Sequence, residues 1–261
     1  MGVLNITPDS FSDGGLFFEA QSAIDQAVLM VEQGADIIDI GGESTRPGAP
    51  EVSSEDELKR VLPVIEALSG NIDVPISIDT SKPVVMRRAF DAGASIINDV
   101  YALRSEGALE MAASLGADVC LMHMQGNPRT MQKNPKYDDV VSDVKFFFTE
   151  RLEACSAVGI KLESITLDPG FGFGKNLAHN IALLKNLAEF HDFGVSILAG
   201  LSRKSMIGSL LGDKEVDSRM IGSVTAALIA VENGANIIRA HDVAETKDAL
   251  TVWQQIKHFR E

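Results

Sequence analysis

Short apolar runs recur along the chain at 2–7, 35–41, 75–80, 95–100, 118–124, 164–170, 196–202 and 235–242. Each is followed by a longer segment whose apolar residues return at helical spacing, as at 20–33, 55–68 and 220–232. The pattern predicts eight strands and eight helices in alternation. Gly34-Ala35, Gly93-Ala94, Gly116-Ala117 and Gly234-Ala235 each stand between a helical segment and a strand, and Gly159 and Gly194 occupy similar places. Glycine after a helix accepts the left-handed backbone that ends it, and the chain then enters the next strand. Units of this kind make parallel strands. The Ile-, Val- and Leu-rich runs are those of strands buried on both faces.

Periodicity alone does not choose between an open sheet and a closed barrel, but the polar residues do. The runs end in Asn5, Asp39, Asp79, Asn98 with Asp99, His123, Asp168, Ser202 with Arg203 and Lys204, and Arg239 with His241. In a barrel these ends ring one mouth, where such folds keep their catalytic groups. In an open sheet the outer strand ends lie too far from a switch point to share one ligand. The expected architecture is therefore α/β, a (β/α)8 TIM barrel forming a single domain over residues 1–261, a length ordinary for that fold.

Composition narrows the partners. A formal net charge of −14 argues against nucleic acid and acidic membrane surfaces, which require a basic face. An anionic small molecule stays admissible, because it responds to a few local cations. Cys120 and Cys155 lack metal-ligand spacing and read as buried thiols of a reducing compartment. The apolar stretches fall short of a membrane span, and no signal-peptide pattern precedes the first strand, so a cytoplasmic protein is expected.

Arg239 and His241 alternate on one strand and so face one side, where they suit a phosphate or structural contacts at the rim. Ser202 has the chemistry of an N-cap for a helix opening toward an anion, with Lys204 as a mobile cationic donor. Asp79, Asp168 and Asn98 end apolar strands, where a carboxylate needs donors from a ligand or from the chain itself. The paired N–H groups of a 2-amino-4-oxo pyrimidine edge fit that need, and so does an internal arginine. Gly170-Phe171-Gly172-Phe173-Gly174-Lys175 fails as a phosphate loop on glycine spacing, and Asn176 follows the lysine. It reads as a flexible, aromatic-bearing loop. The loops at 7–15 and 41–48 carry Phe11, Thr45 and Arg46, with Phe17 just beyond the first, and read as lids. His123 reads as a satisfied core histidine. The chain shows neither a Ser-His-Asp order nor a histidine cluster for zinc.

Together these segments resemble the dihydropteroate synthase family. The resemblance rests on 1–15 (MGVLNITPDSFSDGG), 38–48 (IDIGGESTRPG), Ser77-Ile78-Asp79-Thr80, Ile97-Asn98-Asp99, Leu121-Met122-His123-Met124, 167–175 (LDPGFGFGK), Ser202-Arg203-Lys204 and Arg239-Ala240-His241, and it covers nearly the whole chain. It implies a transferase of folate biosynthesis that joins a 6-hydroxymethyl-7,8-dihydropterin diphosphate to p-aminobenzoate, with sulfonamides as competitors. It implies that Asp79, Asn98, Asp168 and Lys204 hold the pterin, with Met122 packed on the ring. Thr45, Arg46, Arg239 and His241 would hold the diphosphate, Asn5 a Mg2+ ion, and Ser202, Pro47, Phe173 and Lys204 would border p-aminobenzoate. Asp79, Lys204, Arg239 and His241 become the expected catalytic set, in a mechanism where diphosphate leaves before the amine attacks. A homodimer through the last helices is also implied. The family usually carries residues ahead of its first strand, often a hairpin under the barrel, whereas Met1 here falls at the strand itself. Two rivals share parts of the pattern: a pterin-binding methyltransferase, which needs no Arg46, Arg239 and His241 for a diphosphate, and a noncatalytic homologue, which should have lost some of them.

Overall fold

A computed structural model describes residues 1–6, 15–45 and 48–259, with side chains in the first helix described from Ala20 onward. Strands and helices alternate: β1 (Gly2–Asn5), α1 (Gly15–Glu32), β2 (Ile38–Gly41), α2 (Ser54–Leu68), β3 (Ile76–Asp79), α3 (Pro83–Asp91), β4 (Ile96–Asp99) and α4 (Ala108–Leu115). The second half continues with β5 (Asp118–Met122), α5 (Val140–Ala157), β6 (Ile165–Asp168), α6 (Leu177–Lys185), β7 (Ser196–Ala199), α7 (Ser205–Leu210), α8 (Met220–Glu232), β8 (Ile237–Ile238) and α9 (Val243–Lys257). The eight strands pair in sequence order, each parallel to the next. Beyond β8, Ala240 bridges in parallel to Gly2: Val3 N–H donates to Ala240 O and Ala240 N–H to Met1 O, both at 3.0 Å. The result is a curled, TIM-barrel-like sheet whose helices pack on their neighbours.

Local chemistry accounts for the helix boundaries. Ser53 Oγ accepts the Asp56 N–H at 3.1 Å, and Glu55, Asp56 and Glu57 place negative charge at the positive end of α2. Pro83 opens α3, where its missing N–H has no helical partner to lose. Asn176 and His179 close a reciprocal capping box at the start of α6, which gives that histidine a structural role. The glycines at the helix-to-strand junctions adopt the left-handed backbone expected of them, as at Gly34 (φ 91°) and Gly234 (φ 108°).

Two expectations are corrected. Nine α-helices rather than eight occur among the described residues, because the β7–β8 connection holds both α7 and α8. Gly212, at φ 76°, and the polar segment Asp213-Lys214-Glu215 interrupt the apolar spacing there. The run 235–242 is also mostly not strand: β8 spans only Ile237–Ile238, after which Arg239 N–H still reaches Ala199 O at 3.1 Å before the chain turns to β1. The core lies between sheet and helices, with Phe148, Phe171 and Phe190 fully buried and the Phe148 and Phe190 rings edge to face at 5.9 Å. Cys120 and Cys155 are buried, unpaired thiols. Among the described residues, no helix is long and apolar enough to cross a membrane.

Candidate active site

The polar groups that interrupt the apolar strands meet at the strand ends. Asp39 stands in β2 between two fully buried isoleucines and is itself fully buried. A carboxylate there requires a donor, and Arg239 supplies one through Nε at 2.6 Å. The same guanidinium reaches Asp79 Oδ2 at 2.9 Å through Nη2, while Asn98 Nδ2 donates to Asp39 Oδ2 at 3.0 Å. Four residues from β2, β3, β4 and the end of β8 thus form one connected network. Burial pushes Asp79 up to about 7, against the attraction of Arg239, and Asp39, Glu57 and Asp99 raise it further. Burial alone would lower Arg239, but Asp39 and Asp79 hold it above the ordinary range. Asp99, beside Asn98, serves the backbone instead: it accepts Tyr101 N–H and Leu103 N–H at 2.8 Å each and the Ser81 hydroxyl. It thereby holds a turn in which Ala102 and Leu103 are both left-handed.

A second group forms around β6 and β7. Asp168 Oδ1 accepts the Gly170 N–H at 2.7 Å, and burial raises its pKa against the pull of Lys204. Lys204 Nζ donates to Phe171 O at 2.5 Å and sits 4.8 Å from the centre of the Phe173 ring. Burial lowers Lys204 to about 8, against the attraction of Asp168. This side chain is a held donor and not the mobile one expected. Met122 is buried in a small apolar cluster with Val100, Met124 and Met131, against which Tyr101 and Phe173 pack.

The loop 170–175 is also not flexible. Gly170 (φ 71°) runs so close to β5 that a Cβ there would lie 1.9 Å from His123 O. Tyr137 Oη donates to Gly174 O at 2.8 Å, and the Gln132 amide donates to Gly172 O. Lys175, which carried no expected role, is buried beneath the loop with Nζ 2.9 Å from His123 Nδ1. His123 is therefore the satisfied core histidine expected.

Ser202 does not cap a helix. The helix begins at Ser205 with Lys204 in the cap position, and Ser202 Oγ instead accepts the His241 N–H at 3.1 Å and lies 3.0 Å from His241 Nδ1. The sharp left-handed turn at Arg203 (φ 58°) separates serine from helix. Burial lowers His241 to about 4, and Arg239 and Arg203 lower it further. Arg203 pairs with Asp242, with Nη2 to Oδ1 at 2.5 Å.

The β2–α2 connection is fastened at both ends. Glu43 Oε1 accepts Val52 N–H at 3.1 Å, and Glu43 Oε2 takes the Lys82 ammonium. Lys82 also donates to the fully buried Glu57 at 2.5 Å. A cavity of about 290 Å3 opens among Thr45, Asp79, Lys82, Tyr101 and Arg129. Asn5 Oδ1 and Asp79 Oδ2 lie 3.6 and 3.7 Å from where a Cβ on Gly41 would stand. Arg46, Pro47 and Phe11, and the side chain of Phe17, lie outside the described residues.

The structure thus brings Asp79, Asn98 and Arg239 into direct contact through Asp39, sets Lys204 against Asp168 and Phe173, and pairs Ser202 with His241 beside them. Asp39 was legible as a strand-end carboxylate without a role. Its signal was a charge inside Ile38-Asp39-Ile40, which obliges a buried partner somewhere in the chain.

A connected set of buried ion pairs and amides at the carboxyl ends of parallel strands is the ligand-binding end of an α/β enzyme. The pattern of the pterin binding enzyme family matches residues 1–241, and the chain belongs to that family. Within the family it sits among the dihydropteroate synthases. It is 58% identical over 254 residues to dihydropteroate synthase of Haemophilus influenzae, covering 97% of this chain and 92% of the relative. It superposes on the Yersinia pestis dihydropteroate synthase in complex with a sulfonamide drug at a TM-score of 0.94, with 52% identity, over 99% of this chain and 94% of the other. The Xanthomonas albilineans dihydropteroate synthase with 4-aminobenzoic acid matches at 0.94 with 50% identity, over 100% of this chain and 93% of the other.

Proposed function

We propose that the chain is a single-domain transferase that condenses 6-hydroxymethyl-7,8-dihydropterin diphosphate with p-aminobenzoate, giving 7,8-dihydropteroate and diphosphate. The observation that carries this reading is the Asp39–Arg239–Asp79 network with Asn98 and Asp168 beside it, set in a chain so similar to known synthases. On this reading the Gly2–Ala240 bridge closes the sheet into a barrel.

The bond between the pterin's exocyclic methylene carbon and the diphosphate oxygen breaks first, its electron pair leaving with oxygen. The Asp79 carboxylate opposes the positive charge left on the methylene carbon. Asp168 keeps one oxygen on the Gly170 N–H and offers the other to the ring's paired N–H donors, with Asn98 completing the edge and Met122 against the ring face. Arg239, oriented by Asp39 through Nε, presents its guanidinium to the diphosphate together with His241, Thr45 and Arg46. The p-aminobenzoate nitrogen then forms the new C–N bond and releases a proton, in a subsite bordered by Ser202, Pro47, Phe173 and Lys204. No protein nucleophile takes part.

Mg2+ fits the residues present. Among the described residues no three His, Cys, Asp or Glu gather into a cage, and the oxygen at hand is the Asn5 amide beside Asp79. One neutral oxygen suits an ion that draws its other ligands from a diphosphate and water. Bound there, it would neutralise charge on the departing group. A second copy of the chain would pack on α8 and α9, where Ile221 and Ile256 are 75% and 73% exposed, with Phe259 just beyond α9 at 77%.

The deciding experiment is calorimetry of p-aminobenzoate binding with and without pyrophosphate and Mg2+. Binding that requires pyrophosphate supports the reading. Binding of a methyl-folate with no pyrophosphate effect would overturn it in favour of a methyltransferase.

A further inference from the structure

Lys175 is 3% exposed, and lysine is almost never buried so deeply without partners. Its Nζ lies 2.9 Å from His123 Nδ1, 3.0 Å from Gly170 O, 3.0 Å from Phe173 O and 3.3 Å from His123 O. Burial lowers His123 to about 2 and pushes Lys175 well below the ordinary lysine range. The nitrogen donates to the Gly170 and Phe173 carbonyls and lies against His123 Nδ1, with His123 O slightly farther off. All four contacts are to the protein itself.

The two carbonyls it grips are the ends of one tight turn, in which Phe173 N–H also donates to Gly170 O at 3.0 Å. Gly172, at the top of that turn, gives its N–H to Asn180 Oδ1 at 2.7 Å. Lys204 lies along the outside of the same turn: its stem passes 3.3 Å from where a Cβ on Gly172 would stand, and its ammonium takes Phe171 O. The Phe173 ring beside that ammonium is held by the carbonyl of its own residue on Lys175.

We propose that Lys175 is a positioning residue for the p-aminobenzoate subsite, acting through the 170–173 turn to place the Phe173 ring and the Phe171 carbonyl against Lys204. The proposal rests on the synthase reading above. Of the proposed pterin groups, Asp79 and Asn98 stand on β3 and β4, away from this turn, whereas Asp168 meets it through the Gly170 N–H, so the effect is weighted toward p-aminobenzoate and not confined to it. A methionine at 175 fills the same channel but leaves two buried carbonyls and an imidazole unmatched, so the turn relaxes toward other donors.

Steady-state kinetics of Lys175→Met, Lys175→Gln, Phe173→Ala and the double variant K175M/F173A test this. K175M is expected to raise KM for p-aminobenzoate about tenfold, with kcat within about threefold and a smaller rise, about threefold or less, in KM for the pterin diphosphate, because Asp168 rests on the Gly170 N–H. Phe173→Ala raises KM for p-aminobenzoate by itself, and K175M adds less than about twofold to it, because both changes remove the same wall. A wild-type KM for p-aminobenzoate in folded K175M overturns the proposal, as do effects of the two substitutions that multiply. Should K175M not fold, Lys175→Gln decides in the same way, with an expected rise of about threefold and a wild-type KM as the contrary result. Wild-type protein that forms no dihydropteroate sinks the synthase reading itself, whereas wild-type turnover with an unmoved variant KM sinks this inference alone.

Discussion

Asp39 and Arg239 are two hundred residues apart in the chain and share a 2.6 Å hydrogen bond beneath the mouth of the sheet. Asp39 also receives the Asn98 amide, so one carboxylate orients two groups assigned to different substrate parts. Asp39→Asn keeps the shape and removes the charge, leaving the guanidinium with Asp79 as its one carboxylate partner. Loss of one member of a buried pair costs about 3 kcal/mol, read as a shift in the urea unfolding curve. A change below about 1 kcal/mol would show that the pair contributes little and that Asp79 alone orients Arg239.

Activity should depend on pH through two groups with opposite requirements. Asp79, pushed up to about 7, must be ionised to face the cation; Lys204, lowered to about 8, must be protonated to donate. Asp39, Glu57, Asp99 and Arg239 face the first, and Asp168, Arg239 and Asp79 face the second. The profile of kcat/KM, which reports the free enzyme, should rise through about 7 and fall through about 8. Asp79→Asn should abolish the acidic limb and lower kcat by about a hundredfold or more. Persistence of that limb in the variant would assign it to another group.

Stability should carry a contribution from His241. Its pKa is about 4 in the folded chain against an ordinary 6.5. Between those values the unfolded chain binds a proton that the folded chain refuses, so this residue makes stability fall as pH drops through the window. Asp79 acts oppositely across an overlapping range: the folded chain keeps a proton that the unfolded chain has released, so its contribution falls as pH rises toward 7. The urea midpoint at pH 7 minus that at pH 5 should therefore be lower in His241→Gln than in wild type, because the variant loses the residue that gains stability as pH rises. An unchanged difference would remove His241 from the balance.

Gly170→Ala would place a methyl group on the His123 carbonyl oxygen in a backbone conformation that side chains avoid. Strain and overpacking together should destabilise the chain by about 3 kcal/mol or more, measured by thermal or urea unfolding. A loss under about 0.5 kcal/mol would mean that the loop moves aside easily, against the rigid turn described above.

Much of this site was legible because a buried carboxylate cannot go unnoticed in an apolar run. Asp39, Asp79 and Asp168 announce strand ends where a partner must exist, and the chain's remaining strand-end polar groups lie on the same side of a parallel sheet. The identity of the partner was not legible. Arg239 could answer a phosphate or a carboxylate with the same donors, and only the fold shows it lying on Asp39 and Asp79. Ser202 and Lys204 illustrate a second limit: a serine ahead of an apolar pattern looks like a cap until a left-handed residue intervenes. The glycine-rich run 170–174 looked loose because glycine permits many backbones, whereas here it serves close approach to β5 and a buried lysine beneath it.

The double fastening of Glu43 has a consequence for how this chain can change over generations. By holding Val52 and Lys82 at once, Glu43 ties the two feet of the β2–α2 connection together and to the base of α3. The stretch that carries Thr45, Arg46 and Pro47 of the proposed site thus begins and ends at points fixed by one carboxylate, and the feet themselves are where substitution should cost the scaffold most.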